Sequence, residues 1–259
     1  MPYALKGRNV LVTGGSRGLG ELICLKFASE GCNVAINYVS SADRAKGVAE
    51  KVEKDHGVKA VIIQGDMGKE VDCIRTVQES IAELGGLDIL ISNAGYTRFS
   101  QFSDLSAPTT EDWDMCFAVN VKAQTHLLKS AQATFNANPE GGVMIITSSI
   151  AGEYVGGSSM PYSVTKAAQL HLMRCLAGTQ GPKIRVNAVL PGLLLTEWGL
   201  KYGEKAIQDL KDRSWLKQEA RSTRFTDLED CAQAFVDIAR NTSMTGQKIQ
   251  IDSGLANVA

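Results

Sequence analysis

Short apolar runs alternate with longer amphipathic stretches along the chain. The apolar runs have the length of buried strands and predict strands over 9–13, 33–37, 60–64, 87–92, 142–147, 184–190 and 248–252. Apolar residues at helical spacing predict helices over 18–29, 42–56, 71–84, 111–135, 162–177 and 226–240. We expect one more amphipathic helix within 203–218. Ser41 is a suitable N-cap for the second helix, and Thr226 with Glu229 has the form of a capping box.

Strands that alternate with helices predict a parallel sheet covered by helices on both faces. We see no internal repeat or linker, so residues 1–259 are expected to form a single domain. Ligands of such sheets bind at the carboxyl ends of the strands. Segments 13–20, 66–67, 93–95, 148–149 and 191–192 all follow predicted strands. The polar and glycine-rich residues of these segments should therefore meet at one edge of the sheet.

The glycine-rich segment 13–20 lies between the first strand and the first helix. Its spacing is Gly-x-x-x-Gly-x-Gly, which differs from the usual dinucleotide fingerprint. Glycines permit a tight turn and a close approach of backbone to a pyrophosphate, and the helix start supplies free N–H groups. An ordinary turn is the alternative. The strand–loop–helix context favours a dinucleotide site that includes Gly14, Ser16, Arg17, Gly18, Leu19 and Gly20.

The end of the second strand bears on the choice of cofactor. An NAD site usually has a carboxylate there, which binds the ribose 2′-hydroxyl. This chain has Asn37 and Tyr38 instead, followed by Ser40, Ser41 and Arg44. Guanidinium and hydroxyl donors hold a 2′-phosphate, whereas a carboxylate would repel it. With Arg17 these residues favour NADP(H), although both arginines could simply be solvated.

Tyr162 and Lys166 lie four residues apart, so a helix places them on one face. An ammonium near a phenol favours the phenolate and would lower the tyrosine pKa, which makes a usable acid or base near neutral pH. Ser149 lies thirteen residues before Tyr162, at the end of an apolar run. Ser148 is the alternative hydroxyl, and the spacing favours Ser149.

Composition and charge exclude several classes of protein. Hydrophobic residues make up 44% and charged residues 21%, as in a globular chain, and the formal net charge of −1 gives no reason to expect a nucleic-acid or membrane partner. No apolar run reaches the roughly 18–20 residues of a membrane span. The six cysteines and three histidines are scattered, which predicts reduced thiols and no metal site. Without a recognisable signal at either end, we expect a cytoplasmic protein.

Taken together, these motifs resemble the short-chain dehydrogenase/reductase family, and the resemblance covers nearly the whole chain. It rests on the glycine loop, Asp66, Asn93-Ala94-Gly95, Asn120, Ser149, Tyr162 with Lys166, Pro191-Gly192, Thr196, Thr245-Gly246-Gln247 and Asp252-Ser253-Gly254. The family implies a Rossmann-type α/β domain with a seven-stranded parallel sheet. Within it, the chain is similar to 3-oxoacyl carrier-protein and polyhydroxynaphthalene reductases.

The resemblance also implies roles for individual residues. Tyr162 matches the catalytic acid or base, Lys166 the residue that lowers its pKa and binds the nicotinamide ribose, and Ser149 the hydroxyl that orients the carbonyl. Asn120 matches the residue that holds a water in the proton relay, with a kink-filling residue as the alternative. Asp66 matches an adenine contact or, alternatively, a cap of the next element. The remaining matches to cofactor contacts are Met67, Asn93, Ala94, Gly95, Pro191, Gly192, Leu194 and Thr196.

The implied reaction is hydride transfer between NADP(H) and a carbonyl or alcohol, in the direction of ketone reduction. The loop residues that we expect near the substrate suggest an apolar, partly aromatic ketone or alcohol, and they are Tyr96, Tyr154, Val155, Met160, Leu193–Leu195, Trp198 and Trp215. The alternative is that many of them belong to the core or to a subunit interface. Arg98 could face a carboxylate or solvent, and segment 193–218 could form a lid. The helix over 111–135 is apolar on more than one side, and family members build subunit interfaces there, so we expect a homo-oligomer, either a tetramer or a dimer.

Two other interpretations stay open on sequence alone. One is a non-catalytic dinucleotide-binding regulator that senses redox state, although such relatives usually lose the tyrosine or the lysine. The other is an enzyme that uses the same fold for epimerisation or dehydration, although most epimerase-type relatives are longer. The identity of the substrate and the stereochemistry of its reduction do not follow from the sequence.

Overall fold

A computed structural model describes residues 3–216 and 226–257. Its seven strands form one parallel sheet in the order β3-β2-β1-β4-β5-β6-β7, which confirms the predicted fold class. The strands are β1 (Asn9–Val12), β2 (Asn33–Tyr38), β3 (Ala60–Gln64), β4 (Ile89–Ser92), β5 (Gly142–Thr147), β6 (Ile184–Pro191) and β7 (Lys248–Ile251). Strand ends differ from the sequence prediction by up to two residues.

Eight α-helices connect and cover these strands within the described part of the chain. They are α1 (Gly18–Ser29), α2 (Ala42–His56), α3 (Glu70–Leu84), α4 (Thr110–Phe117), α5 (Ala123–Ala137), α6 (Met160–Gln180), α7 (Glu204–Arg213) and α8 (Leu228–Arg240). None of the described helices is both long and apolar enough to cross a membrane.

Alternating side chains of the central strands fill two separate cores. Val10 and Val12 pack with α1, α2 and α8 on one face of the sheet, whereas Leu11 between them packs with α3, α5 and α6 on the other. β4 repeats the pattern, because Ile89 and Ile91 belong to the first core and Leu90 to the second. Successive side chains of a strand point to opposite faces, so every central strand must be apolar on both sides. This explains why the strands were visible as continuous apolar runs.

The helix predicted over 111–135 is interrupted by a π-helical turn. α4 ends at Phe117, the turn spans Ala118–Lys122, and α5 continues to Ala137. The prediction of one uninterrupted α-helix was therefore wrong in its interior. The turn contains Asn120, whose side chain binds backbone outside the helix, and such contacts accompany π-turns at functional positions.

One predicted helix cap has the expected position and the other does not. Ser41 is the N-cap residue of α2, but its side chain makes no capping hydrogen bond. For α8 the N-cap is Asp227 rather than Thr226, because the Asp227 carboxylate accepts from the Glu229 N–H at 2.8 Å. The amphipathic helix expected within 203–218 is α7, and residues 217 and 218 lie outside the described residues.

The strand order reverses between β1 and β4, and this is where the polar segments meet. The Thr13 hydroxyl at the end of β1 accepts from the N–H groups of Asn93 at 2.9 Å and Ala94 at 3.0 Å, just after β4. The Asn93 amide in turn donates to the Thr13 carbonyl at 3.0 Å. A crevice opens between neighbouring loops that leave the sheet on opposite sides, which is the usual ligand position in such folds.

Candidate active site

A cavity of about 1070 Å³ lies at the carboxyl ends of the strands. Its lining combines the glycine loop, the end of β2, the loops after β4, β5 and β6, and the first turns of α6. Most of the predicted site residues line it, namely Gly14, Ser16, Arg17, Gly18, Leu19, Gly20, Tyr38, Ser40, Ser41, Asn93, Ala94, Gly95, Ser149, Tyr162, Lys166, Pro191, Gly192, Leu194 and Thr196. One cavity therefore brings the cofactor motif and the catalytic motif together.

The glycine loop packs too closely for side chains at two positions. Gly14 has a φ of +64°, and a Cβ on it would lie 3.2 Å from the Ala94 Cα. A Cβ on Gly20 would lie 2.2 Å from the Gly14 carbonyl oxygen and 2.7 Å from the Asn93 amide nitrogen. The loop and the first turn of α1 therefore form a backbone cradle at a helix N-terminus, which fits a pyrophosphate.

Asn37 supports this cradle from below and does not line the cavity. Its side-chain oxygen accepts from the Gly14 N–H at 3.1 Å, and its amide donates to the carbonyls of Ile63 at 3.3 Å and Gly65 at 3.0 Å. The side chain is fully buried. The expectation that Asn37 contacts the cofactor is therefore corrected, since it ties β2, β3 and the loop together.

Positive charge gathers at the outer rim of the cofactor end. Arg17 is the N-cap residue of α1, and Arg44 lies in the first turns of α2. Both are exposed, and both form ion pairs with Glu197 from the loop after β6, at 3.0 Å for Arg17 and 2.5 Å for Arg44. These bonds hold the pKa of the Glu197 carboxyl below its usual range, chiefly through Arg44. The arginines are thus paired rather than merely solvated.

The start of α6 fixes the position of Tyr162. Ser159 is the N-cap, its hydroxyl accepts from the Tyr162 N–H at 3.2 Å, and Pro161 occupies the first turn, where its missing N–H costs nothing. The tyrosine ring lies 5.7 Å from the ring of Trp198, centroid to centroid. The first turn of α6 therefore aims the phenol at the cavity.

Lys166 lies one helical turn further on and is buried. Its ammonium group donates to the Thr147 carbonyl at the end of β5 at 2.8 Å, and it lies 5.3 Å from the centroid of the Tyr162 ring. The residue is 2% exposed, and burial lowers its pKa to about 7. Both its charged and its neutral form are therefore populated near neutral pH.

The pKa of Tyr162 departs from the sequence expectation. Burial raises it above its ordinary value, the nearby Tyr202 raises it further, and a hydrogen bond with Ser149 lowers it in part. The expected net lowering of this pKa is therefore wrong for this geometry. Desolvation penalises the phenolate more than the hydrogen bond favours it, and the same burial weakens the charge on Lys166. Tyr162 is accordingly protonated at neutral pH.

The structure separates the two candidate serines. The Ser149 hydroxyl accepts from the Ala151 N–H at 3.1 Å, which leaves its proton free to donate, and it hydrogen-bonds Tyr162. Ser148 is 2% exposed, and its hydroxyl donates to the Lys166 carbonyl at 3.1 Å. Ser149 is therefore the hydroxyl beside the phenol, whereas Ser148 fastens β5 to α6.

Asn120 is fully buried and all its amide contacts are with protein. Its side-chain oxygen accepts from the Tyr96 N–H at 2.8 Å, and its nitrogen donates to the Tyr96 carbonyl and the Thr165 hydroxyl, each at 3.0 Å. It does not line the cavity, although a Cβ on Gly95 would come within 3.6 Å of its oxygen. The side chain thus fastens the loop after β4 to α6 behind the Tyr162 and Lys166 pair.

Asp66 and Met67 follow β3 but do not line the cavity. One Asp66 oxygen accepts from the Gly68 N–H at 2.9 Å, and Met67 is 3% exposed and packs in the second core. Lys69, rather than Asp66, is the N-cap residue of α3. Both residues therefore lie outside the cavity lining, and their cofactor contacts stay a prediction.

The residues expected at the substrate end divide into two groups. Those that line the cavity are Tyr154, Val155, Leu193, Leu194 and Trp198, and those that do not are Tyr96, Met160, Leu195 and Trp215. Arg98 also lies outside the lining and forms an ion pair with Asp112 at 3.2 Å. Its partner is therefore a carboxylate of the protein. The observed lining is apolar and aromatic around Tyr162.

Sequence reasoning missed several residues of this cavity. Tyr202 stacks edge-on against Phe99 with ring centroids 5.1 Å apart, and burial raises its pKa to about 12. Its signal was available, because it is an aromatic residue in the same irregular segment as Trp198. Glu197 and Thr147 carried no signal, since their contacts join elements that are distant in sequence.

Comparison with known proteins gives a consistent family. The family model described as short chain dehydrogenase matches residues 8–206. The glucose 1-dehydrogenase of Gluconobacter oxydans (strain 621H) is 35% identical over 254 residues, which cover 96% of this chain and 92% of that protein. A 3-oxoacyl-(acyl-carrier-protein) reductase of Staphylococcus aureus (strain Mu50) is 30% identical over 251 residues, which cover 96% of this chain and 98% of that protein.

Solved structures agree over nearly the full length. A short chain dehydrogenase from Burkholderia cenocepacia J2315 in complex with NADP aligns with a TM-score of 0.87 and 33% identity, over 98% of this chain and 100% of that one. A 7α-hydroxysteroid dehydrogenase complexed with NADH and 7-oxo glycochenodeoxycholic acid aligns with a TM-score of 0.87 and 27% identity, over 96% and 94%. Similar structures therefore hold either nicotinamide cofactor.

Proposed function

The chain belongs to the short-chain dehydrogenase family of oxidoreductases, and we propose that it transfers a hydride between NADP(H) and a carbonyl or alcohol group. One observation carries this proposal: the Tyr162 phenol, the Ser149 hydroxyl and the Lys166 ammonium converge on a cavity that also contains the glycine cradle. A hydride donor held by the cradle and a proton donor on α6 are the two components that carbonyl reduction requires.

The choice of NADP(H) rests on the rim of the cofactor end. No carboxylate follows β2 before Asp43 in α2, whereas Tyr38, Ser40 and Ser41 line the cavity there and two arginines lie beside them. A guanidinium pair with hydroxyl donors suits a dianionic 2′-phosphate. The relative from Burkholderia cenocepacia is in complex with NADP, and this supports the choice without deciding it, because another relative holds NADH.

The residues of the chain divide the remaining chemistry between them. The nicotinamide supplies the hydride when it is bound. Tyr162, protonated at neutral pH, donates its phenolic proton to the substrate oxygen, because an alkoxide is a far stronger base than a phenolate. Ser149 donates its free O–H to the same oxygen as negative charge develops there, and Lys166 adds positive potential from behind.

In this proposal Asn120 acts indirectly, through the residues that it holds in place. Its amide is fully committed to Tyr96 and Thr165, so it holds the loop after β4 and the start of α6 in register. Asn120 is therefore a positioning residue rather than a proton carrier.

We infer ketone reduction as the direction of the reaction. Tyr162 keeps its proton at neutral pH and is therefore available as the acid of a reduction, whereas alcohol oxidation would require the phenolate as a base. The lining formed by Tyr154, Trp198, Tyr202 and leucines suits an apolar or aromatic ketone. We further propose that the chain works as a single domain in a homo-oligomer, with segment 193–216 covering the substrate.

Tyr162→Phe tests the central assignment. We expect turnover of any ketone substrate to fall by at least about a thousandfold, because the proton donor is removed while the ring and its packing remain. NADPH binding, followed by the quenching of protein fluorescence, should change less than about twofold. A variant that turns over at a near-normal rate would refute the proposed role. Tyr3→Phe, in the first core and outside the cavity lining, removes the same hydroxyl group and should leave turnover within about twofold.

A panel of apolar and aromatic ketones, followed at the nicotinamide absorbance, tests the reaction type and substrate class. We expect oxidation of NADPH with at least one member and slower oxidation with small hydrophilic ketones. NADPH binding without turnover on any member would favour the non-catalytic regulator instead. Product formation without net change in nicotinamide absorbance would favour epimerisation.

Light scattering of the purified chain tests the homo-oligomer, and a mass near the 27.8 kDa of one chain would contradict it.

A further inference from the structure

A single carboxylate already binds both arginines of the cofactor rim. One oxygen of Glu197 lies 3.0 Å from an Arg17 nitrogen, and the other oxygen lies 2.5 Å from an Arg44 nitrogen. All three side chains line the cavity. The carboxylate is thus shared between the N-terminus of α1 and the start of α2, although it comes from the loop after β6.

The position of Glu197 is set by its neighbours in the chain. Thr196 lies against the glycine loop, because a Cβ on Gly18 would come within 3.3 Å of the Thr196 methyl group. The Thr196 N–H donates to the Leu194 carbonyl at 2.8 Å, and the Leu200 N–H donates to the Thr196 carbonyl at 2.9 Å. The backbone on both sides of Glu197 is therefore held close to the loop that bears Arg17.

A 2′-phosphate and the Glu197 carboxylate require the same donors. Each is an anion that would be held by the Arg17 and Arg44 guanidinium groups, and two anions on one arginine pair repel each other. Glu197 is ionised at neutral pH, because the arginines hold its pKa below the usual range. A 2′-hydroxyl has no charge to repel, and a carboxylate is its usual partner in NAD sites.

We propose that Glu197 is a cofactor-selectivity residue, which competes with the 2′-phosphate for Arg17 and Arg44 and so lowers the preference of the enzyme for NADP(H) over NAD(H). This inference rests on the proposed function, in which the same two arginines recognise the phosphate. The competing ion pairs are more than half exposed, so the effect is modest. Because exposed ion pairs contribute little, we expect the change in affinity to be about three- to tenfold.

Glu197→Gln tests the inference, because it keeps the size of the side chain and removes its charge. We expect NADPH to bind at least about threefold more tightly to this variant, with NADH binding unchanged or weaker, in parallel fluorescence titrations. Glu204→Gln removes the same charge at the start of α7, outside the cavity lining, and should leave the ratio of the two affinities within about twofold. If Glu197→Gln weakens the binding of both nucleotides, Glu197 holds the groove together and the inference is wrong. An unchanged ratio of the two affinities would also contradict the inference.

Arginine variants separate this inference from the proposal on which it rests. Arg17→Gln and Arg44→Gln should each weaken the binding of NADPH and leave the binding of NADH nearly unchanged. If neither variant weakens NADPH binding, the NADP(H) proposal itself fails. If both variants weaken it and Glu197→Gln has no selective effect, only the role of Glu197 fails. In the double variant of Arg44→Gln with Glu197→Gln, the gain from removing Glu197 should shrink, because one of its two partners is gone. Thermal unfolding of each variant establishes that it is folded.

Discussion

The inner wall of the cavity and its outer rim hold their polar groups in opposite ways. Lys166 on the inner wall and Asn120 directly behind it are buried, and each donates to a backbone carbonyl of a neighbouring loop or strand. On the rim, Arg17 and Arg44 are exposed, and each forms an ion pair with the exposed Glu197. Buried polar groups are expensive to leave unpaired, whereas exposed ion pairs contribute little to stability.

This difference separates two kinds of function. In the proposed function the inner wall fixes where a proton is delivered, so a change there should damage both the fold and the chemistry. The rim would set which nucleotide is preferred, so a change there should alter selectivity and leave the fold intact. Cofactor preference can therefore drift without loss of the catalytic geometry, and this agrees with the presence of NADP and NADH among similar structures.

Gly20→Ala should have the largest effect on stability, because it forces a methyl group into the packed inner side. The new Cβ would lie 2.2 Å from the Gly14 carbonyl oxygen, which is backbone and cannot rotate away. We expect the free energy of unfolding to fall by about 3 kcal/mol and nucleotide binding to be largely lost. Urea denaturation measures the first effect; a loss below about 1 kcal/mol would mean that the loop is not packed in this way.

Lys166→Met should reveal the cost of burying an ammonium group. The folded pKa of Lys166, about 7, lies below its unfolded value of 10.5. Between these values the unfolded chain binds the additional proton, so the stability of the wild type rises with pH. From pH 7 to 9 the free energy of unfolding of the wild type should rise by about 2 kcal/mol relative to that of Lys166→Met.

Denaturation of both proteins at several pH values measures that difference. Other groups that titrate in this range, including the cysteines, are common to the two proteins and cancel in the comparison. Parallel pH profiles would contradict a depressed pKa at Lys166.

Gly47→Ala should have the smallest effect, with the opposite sign. Gly47 lies inside α2 and lines the rim of the cavity, and a Cβ there meets nothing within 4 Å. Alanine is a better helix former than glycine, so we expect a gain of about 0.5–1 kcal/mol in the free energy of unfolding. Because the substitution is the same as at Gly20, the pair compares the two regions directly. A clear loss of stability would show that the rim is packed as tightly as the inner wall.

The sheet and most of the helices were predictable from the sequence, because every central strand is apolar on both faces and the helices keep their spacing. The long helix was predicted less accurately in its interior, because a π turn leaves the hydrophobic pattern nearly unchanged. The Asp227 cap was missed for a related reason: Thr226 and Asp227 are both good capping residues, and only the backbone decides between them.

The candidate site was predictable where function depends on local spacing. Tyr162, Lys166 and Ser149 were identified by their separation along the chain, and the structure brings them together. Contacts between distant segments were not predictable, and Glu197 is the clearest case, because its partners lie on α1 and α2. The pKa of Tyr162 was misjudged since the sequence displays the neighbouring charge but not the degree of burial.

The π turn at Ala118–Lys122 has a consequence for how this protein could change over time. A residue added to a helix rotates everything beyond it by about 100° relative to what precedes it. The wider turn absorbs that rotation, so Asn120 can point to Tyr96 while Leu127 and Phe135 of α5 still face the core. Deleting one residue here would restore a regular helix and leave α5 facing the core, but the contacts of Asn120 with the Tyr96 backbone would be lost. We therefore expect such a deletion to keep the packing of α5 and to loosen the loop after β4, so the extra residue serves the active site rather than the core.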